Sequence, residues 1–133
     1  MTIYNRKDAR SSLDTALSAI SQFQTGYAYF PATLDGSSPI YSITGASVWD
    51  GNSHPADQNL FEFLVTVWVK RNDGANDPGA VEDLMDDLIQ DVLQAVDTWS
   101  NGFLVEPTAG SIDDIDGDQW RIEHMLIGVN WDE

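Results

Sequence analysis

Two segments of the chain carry apolar residues at the spacing of an α-helix. The first follows Asn5, a residue type that caps helices, and is closed by Gly26. The second begins at Asp77-Pro78, an N-cap followed by a proline at the first helical position, and is closed by Asn101-Gly102. The apolar stripes that predict these helices are Ala9, Leu13, Ala16, Leu17, Ile20 and Phe23 in the first, and Val81, Leu84, Met85, Leu88, Val92, Val96 and Trp99 in the second.

Alternation of apolar and polar residues predicts the strands. It is clearest over residues 60–71, where Leu64 and Trp68 share one face with polar side chains while the opposite face is entirely apolar. The residues predicted to form that apolar face are Phe61, Phe63, Val65, Val67 and Val69. One face of this strand is therefore expected to lie in the core and the other to be half covered.

Turn-forming residues divide the extended segments of the first half of the chain. The Asp35-Gly36 pair predicts a hairpin between residues 27–34 and residues 40–49. Pro31 places the first of these strands at a sheet edge, because proline cannot donate to a strand ladder. Residues 50–58 are expected to form an exposed loop.

The end of the chain is predicted to be extended. Residues 103–107 predict a short strand, residues 109–118 an acidic turn region around Asp116-Gly117, and residues 120–131 a last strand. The whole order predicts one α+β domain over residues 1–133. We expect a two-layer sandwich, with a mainly antiparallel sheet of about five strands and both helices packed on one side.

The composition supports a folded domain and excludes thiol chemistry. The chain is 42% hydrophobic and has five tryptophans, which is enough apolar bulk for a core. It has no cysteine, so it has neither a disulfide nor a thiolate metal site. Because the longest apolar run, residues 63–69, is too short to span a bilayer, we expect no membrane association.

The formal net charge of −16 narrows the choice of partners. Such a field repels phosphate backbones and anionic lipids, so it argues against nucleic-acid binding. It is compatible with a surface past which DNA moves without adhering. The alternative interpretation is an adaptation for solubility or high salt.

The sequence predicts no catalytic residues. Residues 45–49 approach a nucleophile elbow but lack its second glycine and fall in a predicted strand. His54 and His124 have no third ligand at a spacing suited to zinc. The acidic pairs Glu82-Asp83 and Asp86-Asp87 are typical of a solvated helix face.

Two charged clusters remain. Their members are Asp113, Asp114, Asp116, Gly117 and Asp118 in the acidic cluster, and Arg6, Lys7 and Arg10 in the basic one. The acidic cluster predicts a hairpin tip, and binding of Mg²⁺ or Ca²⁺ that promotes assembly is the alternative. No other cofactor is expected. The basic cluster is either an ordinary solvated first turn or a contact for an acidic face of a neighbouring copy.

In size and order of elements the chain resembles the tail terminator (tail completion) proteins of long-tailed bacteriophages. The likeness covers nearly the whole chain and includes the helix before Gly26, the hairpin of residues 27–49, the strand of residues 60–69 with its charged exit Lys70-Arg71, and the helix of residues 77–99. It continues to the last strand, which ends Val129-Asn130-Trp131.

This resemblance implies a structural virion protein rather than an enzyme. It implies a ring, usually hexameric, that caps the tail tube, ends tail polymerisation and offers the surface to which the filled head docks. The implied partners are further copies of the chain, the tail tube protein and a head-completion or connector protein. The implied location is the head-proximal end of the tail, after assembly in the host cytoplasm.

Two other functions stay open. One is a head-to-tail connector or other neck protein, because such proteins share this size and this kind of fold. The other is a monomeric acidic inhibitor that mimics DNA, with its carboxylates on the helix of residues 82–97. For a ring, the half-apolar face of residues 60–71 and the 50–58 loop are the candidate contact surfaces.

Overall fold

The computed structural model of the protein describes residues 6–49, 59–71, 78–99 and 102–131. Within these residues the elements follow the order α1 (Arg6–Ser18), β1 (Thr25–Tyr27), β2 (Ile40–Trp49), β3 (Asn59–Lys70), α2 (Pro78–Thr98), β4 (Gly102–Ile115) and β5 (Asp118–Trp131). The α+β class predicted from the sequence is confirmed. The 50–58 loop, including His54, and the capping residues Asn5 and Asp77 lie outside the described residues.

The described strands form one sheet in the order β1-β2-β3-β5-β4. Three of its pairings are antiparallel, whereas β1 pairs with β2 in parallel, Thr25 lying opposite Ile40 and Tyr27 opposite Ser42. The sheet is therefore mixed, and it differs from the predicted sheet at β1.

Both helices pack on one face of the sheet, as predicted, and enclose the main core there. α1 lies over the β1 side of the sheet and α2 over the β4 side. Helix residues at three- and four-residue spacing meet alternate residues of β2, β3 and β5. The fully buried members of this core include Leu13, Leu17, Phe61, Phe63, Val65, Met85, Leu88, Val92 and Ile127. The predicted apolar face of residues 60–71 is thus confirmed as core.

A second cluster of buried residues lies on the face of the sheet opposite the helices, which we call the open face. It consists of Ile40, Trp68, Trp120 and Ile122, with Tyr27, Leu34 and Ile115 packed against it. The Trp68 indole donates a 3.1 Å hydrogen bond to the Ser42 hydroxyl. This hydrogen bond satisfies two polar groups that would otherwise be costly to bury.

The predicted hairpin of residues 27–34 and 40–49 is wrong. The chain leaves the sheet after Tyr27, crosses without regular secondary structure and re-enters at Ile40, beside the start of β1. Leu34 packs on the open-face cluster, and the Phe30 ring meets the Trp68 ring edge-on at 5.7 Å between centroids. Covering Trp68 and its neighbours buries apolar surface that a two-stranded hairpin would leave in water.

Two further boundaries differ from the prediction. α1 ends at Ser18, well before Gly26, because the chain turns there and Phe23 packs edge-on against Tyr41, with 5.1 Å between ring centroids. At the other end of the chain, residues 109–115 of the predicted acidic turn region belong instead to a long strand, β4, and the turn is confined to Asp116-Gly117. α2 confirms its predicted stripe.

Candidate functional site

β4 is a long strand at one end of the sheet, and it presents apolar side chains to solvent. Over its fourteen residues it pairs with β5, and no described strand lies on its other side. The exposed apolar side chains of β4 are Phe103 (39% exposed), Leu104 (41%), Val105 (37%) and Ile112 (49%). An edge with unpaired backbone groups and apolar side chains is prone to bind another chain unless something covers it.

Two irregularities allow β4 to continue where the sequence suggested a break. The register with β5 shifts between Leu104 and Glu106 and again before Ala109, which brackets Pro107. Proline is tolerated at such bulges on edge strands. The prediction ended the strand at residue 107 because bulges disturb the alternation of apolar and polar residues on which it relied.

An open cleft of about 880 Å³ separates β4 from α2. Apolar and polar side chains line it in similar numbers. The apolar residues include Ile89, Leu93 and Leu104, and the polar residues are Asp86, Gln90, Gln94, Asp97 and Glu123. A concave surface that combines apolar and polar groups can bind a partner.

Arg121 holds the start of α2 against the β4–β5 hairpin. Its guanidinium hydrogen-bonds the Glu82 carboxylate, donates at 2.7 Å to Glu123 and lies over Gly110, where a side chain would collide with it. The hydrogen bond from Arg121 lowers the pKa of Glu82, and the same bond raises the pKa of Arg121. Arg121 and Glu123 are nearly buried, so this pair is less screened than a surface ion pair.

The acidic cluster of residues 113–118 lies at the tip of the β4–β5 hairpin. Asp116 and Gly117 both have positive φ, 52° and 86°, as a two-residue hairpin turn of type I′ requires. Asp118 pairs with Lys70 at 3.4 Å. Among the described residues no group of three or more histidine or acidic side chains is arranged to hold a metal ion.

His124 lies on the open face beside Thr66, its partner in the β3–β5 register. The imidazole Nδ1 is 2.9 Å from the Thr66 hydroxyl oxygen. A hydroxyl beside an imidazole has the composition of a nucleophile and its base, but Thr66 is fully buried and could not reach a substrate. The pair joins two strands that are distant in sequence.

The remaining candidate residues are dispersed. Residues 45–49 lie within β2, so the near match to a nucleophile elbow is not at a strand-to-helix turn. The pairs Glu82-Asp83 and Asp86-Asp87 are exposed on α2, as a solvated helix face would be. Arg6, Lys7 and Arg10 occupy the first turns of α1, at the opposite side of the sheet from β4.

A second exposed aromatic surface lies on the open face beside β1. Tyr29 is 61% exposed and Phe30 is 55% exposed. The Tyr29 ring lies 5.8 Å from the Tyr27 ring, and Phe30 contacts Trp68, so both are anchored to the sheet. This surface and the exposed side of β4 are different in composition and lie at different places in the fold.

No described helix is both long and apolar enough to cross a membrane. No protein-family model matches the chain, and no curated protein matches it.

Proposed function

We propose that this protein is a structural subunit that assembles with copies of itself into a closed ring, in the manner of a tail terminator of a long-tailed bacteriophage. Such a ring, usually hexameric, caps the tail tube, ends its polymerisation and offers a docking surface to a head-completion or connector protein. The protein would assemble in the host cytoplasm and reside in the virion at the head-proximal end of the tail.

The exposed side of β4 is the observation that carries this proposal. If the protein stayed monomeric, the unpaired edge of β4 would remain in water with Leu104, Val105 and Ile112 exposed. Natural proteins protect such edges with charged side chains, proline or bulges; β4 has Pro107 and two bulges, yet these apolar side chains remain exposed. Assembly with another subunit would bury this edge and remove the hazard.

The second aromatic surface supports a ring rather than a two-fold dimer. Tyr29 and Phe30 are far in the sheet order from β4, because β2, β3 and β5 lie between β1 and β4. A subunit with two different contact surfaces associates head to tail, and head-to-tail association closes into a ring when the rotation allows it.

The charge is compatible with a channel that DNA traverses. The net charge is −16, and α2 carries six acidic residues and no basic one. A negative lumen would repel the phosphate backbone, so that DNA would pass without adhering. The protein alone is accordingly expected not to shift duplex DNA in a gel at moderate salt.

Native mass spectrometry across a salt series, with and without Mg²⁺, tests the ring. We expect a shift from monomer toward one closed size as ionic strength rises, because screening shortens the Debye length from ~10 Å at 0.1 M to ~3 Å at 1 M and weakens repulsion between subunits. A protein that stays monomeric in every condition, including with tail tubes added, would contradict the proposal.

A substitution on β4 sharpens this experiment. Val105→Glu places a charge on the exposed edge and should abolish assembly while the circular dichroism spectrum and thermal unfolding stay close to those of the wild type. Ser21→Glu adds the same charge at an exposed residue between α1 and β1, away from β4, Tyr29 and Phe30, and serves as the matched control. Equal assembly of the two variants would show that β4 is not a contact surface.

Two alternatives have distinct experimental signatures. A connector or neck protein would also form a ring, but it would bind the head side in the absence of tail tubes. A monomeric DNA mimic is favoured by the exposed carboxylates of α2, namely Glu82, Asp83, Asp86, Asp87 and Asp97. It would inhibit a DNA-processing enzyme by binding that enzyme. We propose no catalytic activity for any of these roles.

A further inference from the structure

One row of residues across the sheet links the two sides of the subunit. Gly45 of β2 pairs with Phe63, Phe63 pairs with Ile127, and Ile127 pairs with Leu104 of β4. The guanidinium of Arg6 lies over Gly45, where a side chain would collide with it. Leu104, at the other end of the row, lines the cleft. The first turn of α1 and the cleft are therefore at the same height on opposite sides of the subunit.

The positive charges of α1, on Arg6, Lys7 and Arg10, are not neutralised by an ion pair within the described part of the subunit. Lys7 is exposed, whereas the Arg6 guanidinium lies over Gly45. The Arg10 Nε is buried and has no hydrogen-bond partner among the described residues. The other three basic residues of the protein each bond an acidic or amide side chain, and they are Lys70, Arg71 and Arg121.

The cleft carries the opposite charge. Asp86 and Asp97 on its rim are eleven residues apart in α2, about three helical turns or roughly 16 Å, so they lie along the same side of the helix. Ile89 and Leu93 lie between them, and Glu123 also lines the cleft but is already paired with Arg121. This arrangement suits a basic segment that brings charged side chains to the rim and aliphatic stems to the walls.

We propose that neighbouring copies of this chain meet side to side, with the first turns of α1 of one copy docked on the acidic cleft between α2 and β4 of the next. The inference rests on the ring proposed above and specifies its contact. A second copy is the occupant because the chain carries both halves of a complementary charge pattern at matching heights.

Such a contact is compatible with the repulsion between subunits. The repulsion between two subunits arises mostly from charges that are far apart. At physiological ionic strength the Debye length is ~8 Å, so salt largely screens repulsion over longer distances. Ion pairs in a closed contact are separated by about 4 Å and are partly removed from water, so salt weakens them less. Salt can therefore favour assembly while these pairs still determine which surfaces meet.

Charge reversal on the full-length protein tests the contact. A cleft variant carries Asp86→Lys and Asp97→Lys, and an α1 variant carries Arg6→Glu and Arg10→Glu. Each variant alone should need at least about tenfold more protein than the wild type to assemble, because like charges then face each other. A mixture of equal amounts should recover a closed particle in which the two variants alternate, visible by native mass spectrometry.

A matched control separates local charge from net charge. Asp113→Lys with Asp114→Lys changes the net charge as much as the cleft variant does, but at the hairpin tip, and it should assemble like the wild type or more readily. Circular dichroism and thermal unfolding confirm that each variant is folded.

The possible outcomes distinguish a wrong contact from a protein that forms no ring. If the wild type forms a ring and both charge-reversed variants assemble equally well alone, the ring stands and the contact proposed here is wrong. A mixture of two folded variants that stays monomeric overturns it as well. A wild-type protein that never assembles overturns the ring, before any variant is compared.

Discussion

The hydroxyl of Tyr41 donates a 2.6 Å hydrogen bond to the carboxylate of Asp14, and so ties β2 to the middle of α1. Tyr41 is buried against Phe23, so the tie lies at the boundary of the main core. Arg6 and Asp14 are eight residues apart in α1 and both meet β2, Arg6 over Gly45 and Asp14 at Tyr41, so this bond is one of the contacts that hold α1 beside β2.

Removal of that hydroxyl should destabilise the protein. Tyr41→Phe keeps the ring and loses a hydrogen bond to a charged acceptor, which typically contributes about 1.5 to 3 kcal/mol to the free energy of unfolding. Urea denaturation at neutral pH measures the loss. Asp14→Asn should cost less, because an amide can still accept the bond. A Tyr41→Phe variant as stable as the wild type would show that the bond contributes nothing net.

The stability of the wild type should fall at alkaline pH. Burial, and then the hydrogen bond to Asp14, raise the pKa of Tyr41 above its usual value of 10.0. A group whose pKa is raised on folding contributes stability that is complete below the unfolded pKa and is lost as pH rises through the folded pKa. Denaturation curves above pH 10 should therefore decline more steeply for the wild type than for Tyr41→Phe. Parallel curves would contradict the assignment.

Gly26 is required for the close approach of Tyr41 to β1. A Cβ at this position would overlap the Tyr41 ring, which is held in place by Phe23 and Asp14. We expect Gly26→Ala to lower the free energy of unfolding by about 2 to 3 kcal/mol. Gly117→Ala is the comparison, because it meets open space and costs only the strain of a positive φ, about 1 kcal/mol. The reverse order of the two effects would contradict this account.

Arg121 should contribute more to the free energy of unfolding than its partner Glu82 does. Arg121→Met leaves the nearly buried Glu123 without its cation, and we expect a loss of about 2 kcal/mol in the free energy of unfolding. Glu82→Gln should cost less than about 1 kcal/mol because Glu82 is half exposed. Thermal unfolding of the two variants compares them, and equal losses would show that Glu123 tolerates the absence of Arg121.

The Glu82 contact also predicts an acid dependence. Because the pKa of Glu82 is lowered on folding, its contribution is present above the unfolded pKa, near 4.5, and disappears as pH falls through the folded pKa. The difference in stability between the wild type and Glu82→Gln should therefore shrink below pH 4.5. Urea titrations from pH 6 to pH 3 test this expectation, and a difference that stays constant over that range would contradict it.

Local patterns were sufficient for the presence of both helices, though not for the end of α1, and for the α+β class and the core face of β3. A helical stripe such as Met85, Leu88 and Val92 has one energetically reasonable place, against a sheet. Alternation along residues 60–71 likewise determined which side of β3 faces the helices, because a shift of one residue would move Phe61, Phe63 and Val65 out of the main core. These signals are contained within a few neighbouring residues.

Only the folded chain reveals the parallel pairing of β1 with β2, the continuous strand β4 and the cleft beside it. β1 is three residues long, and the segment that follows it crosses the sheet and covers Trp68, a contact between distant parts of the sequence. β4 continues past Pro107 because its bulges and its edge position tolerate the missing donor. The alignment of Arg6 with Leu104 depends on the register of three strand pairs. Strand register is set by the packing of whole faces, so no single segment encodes it.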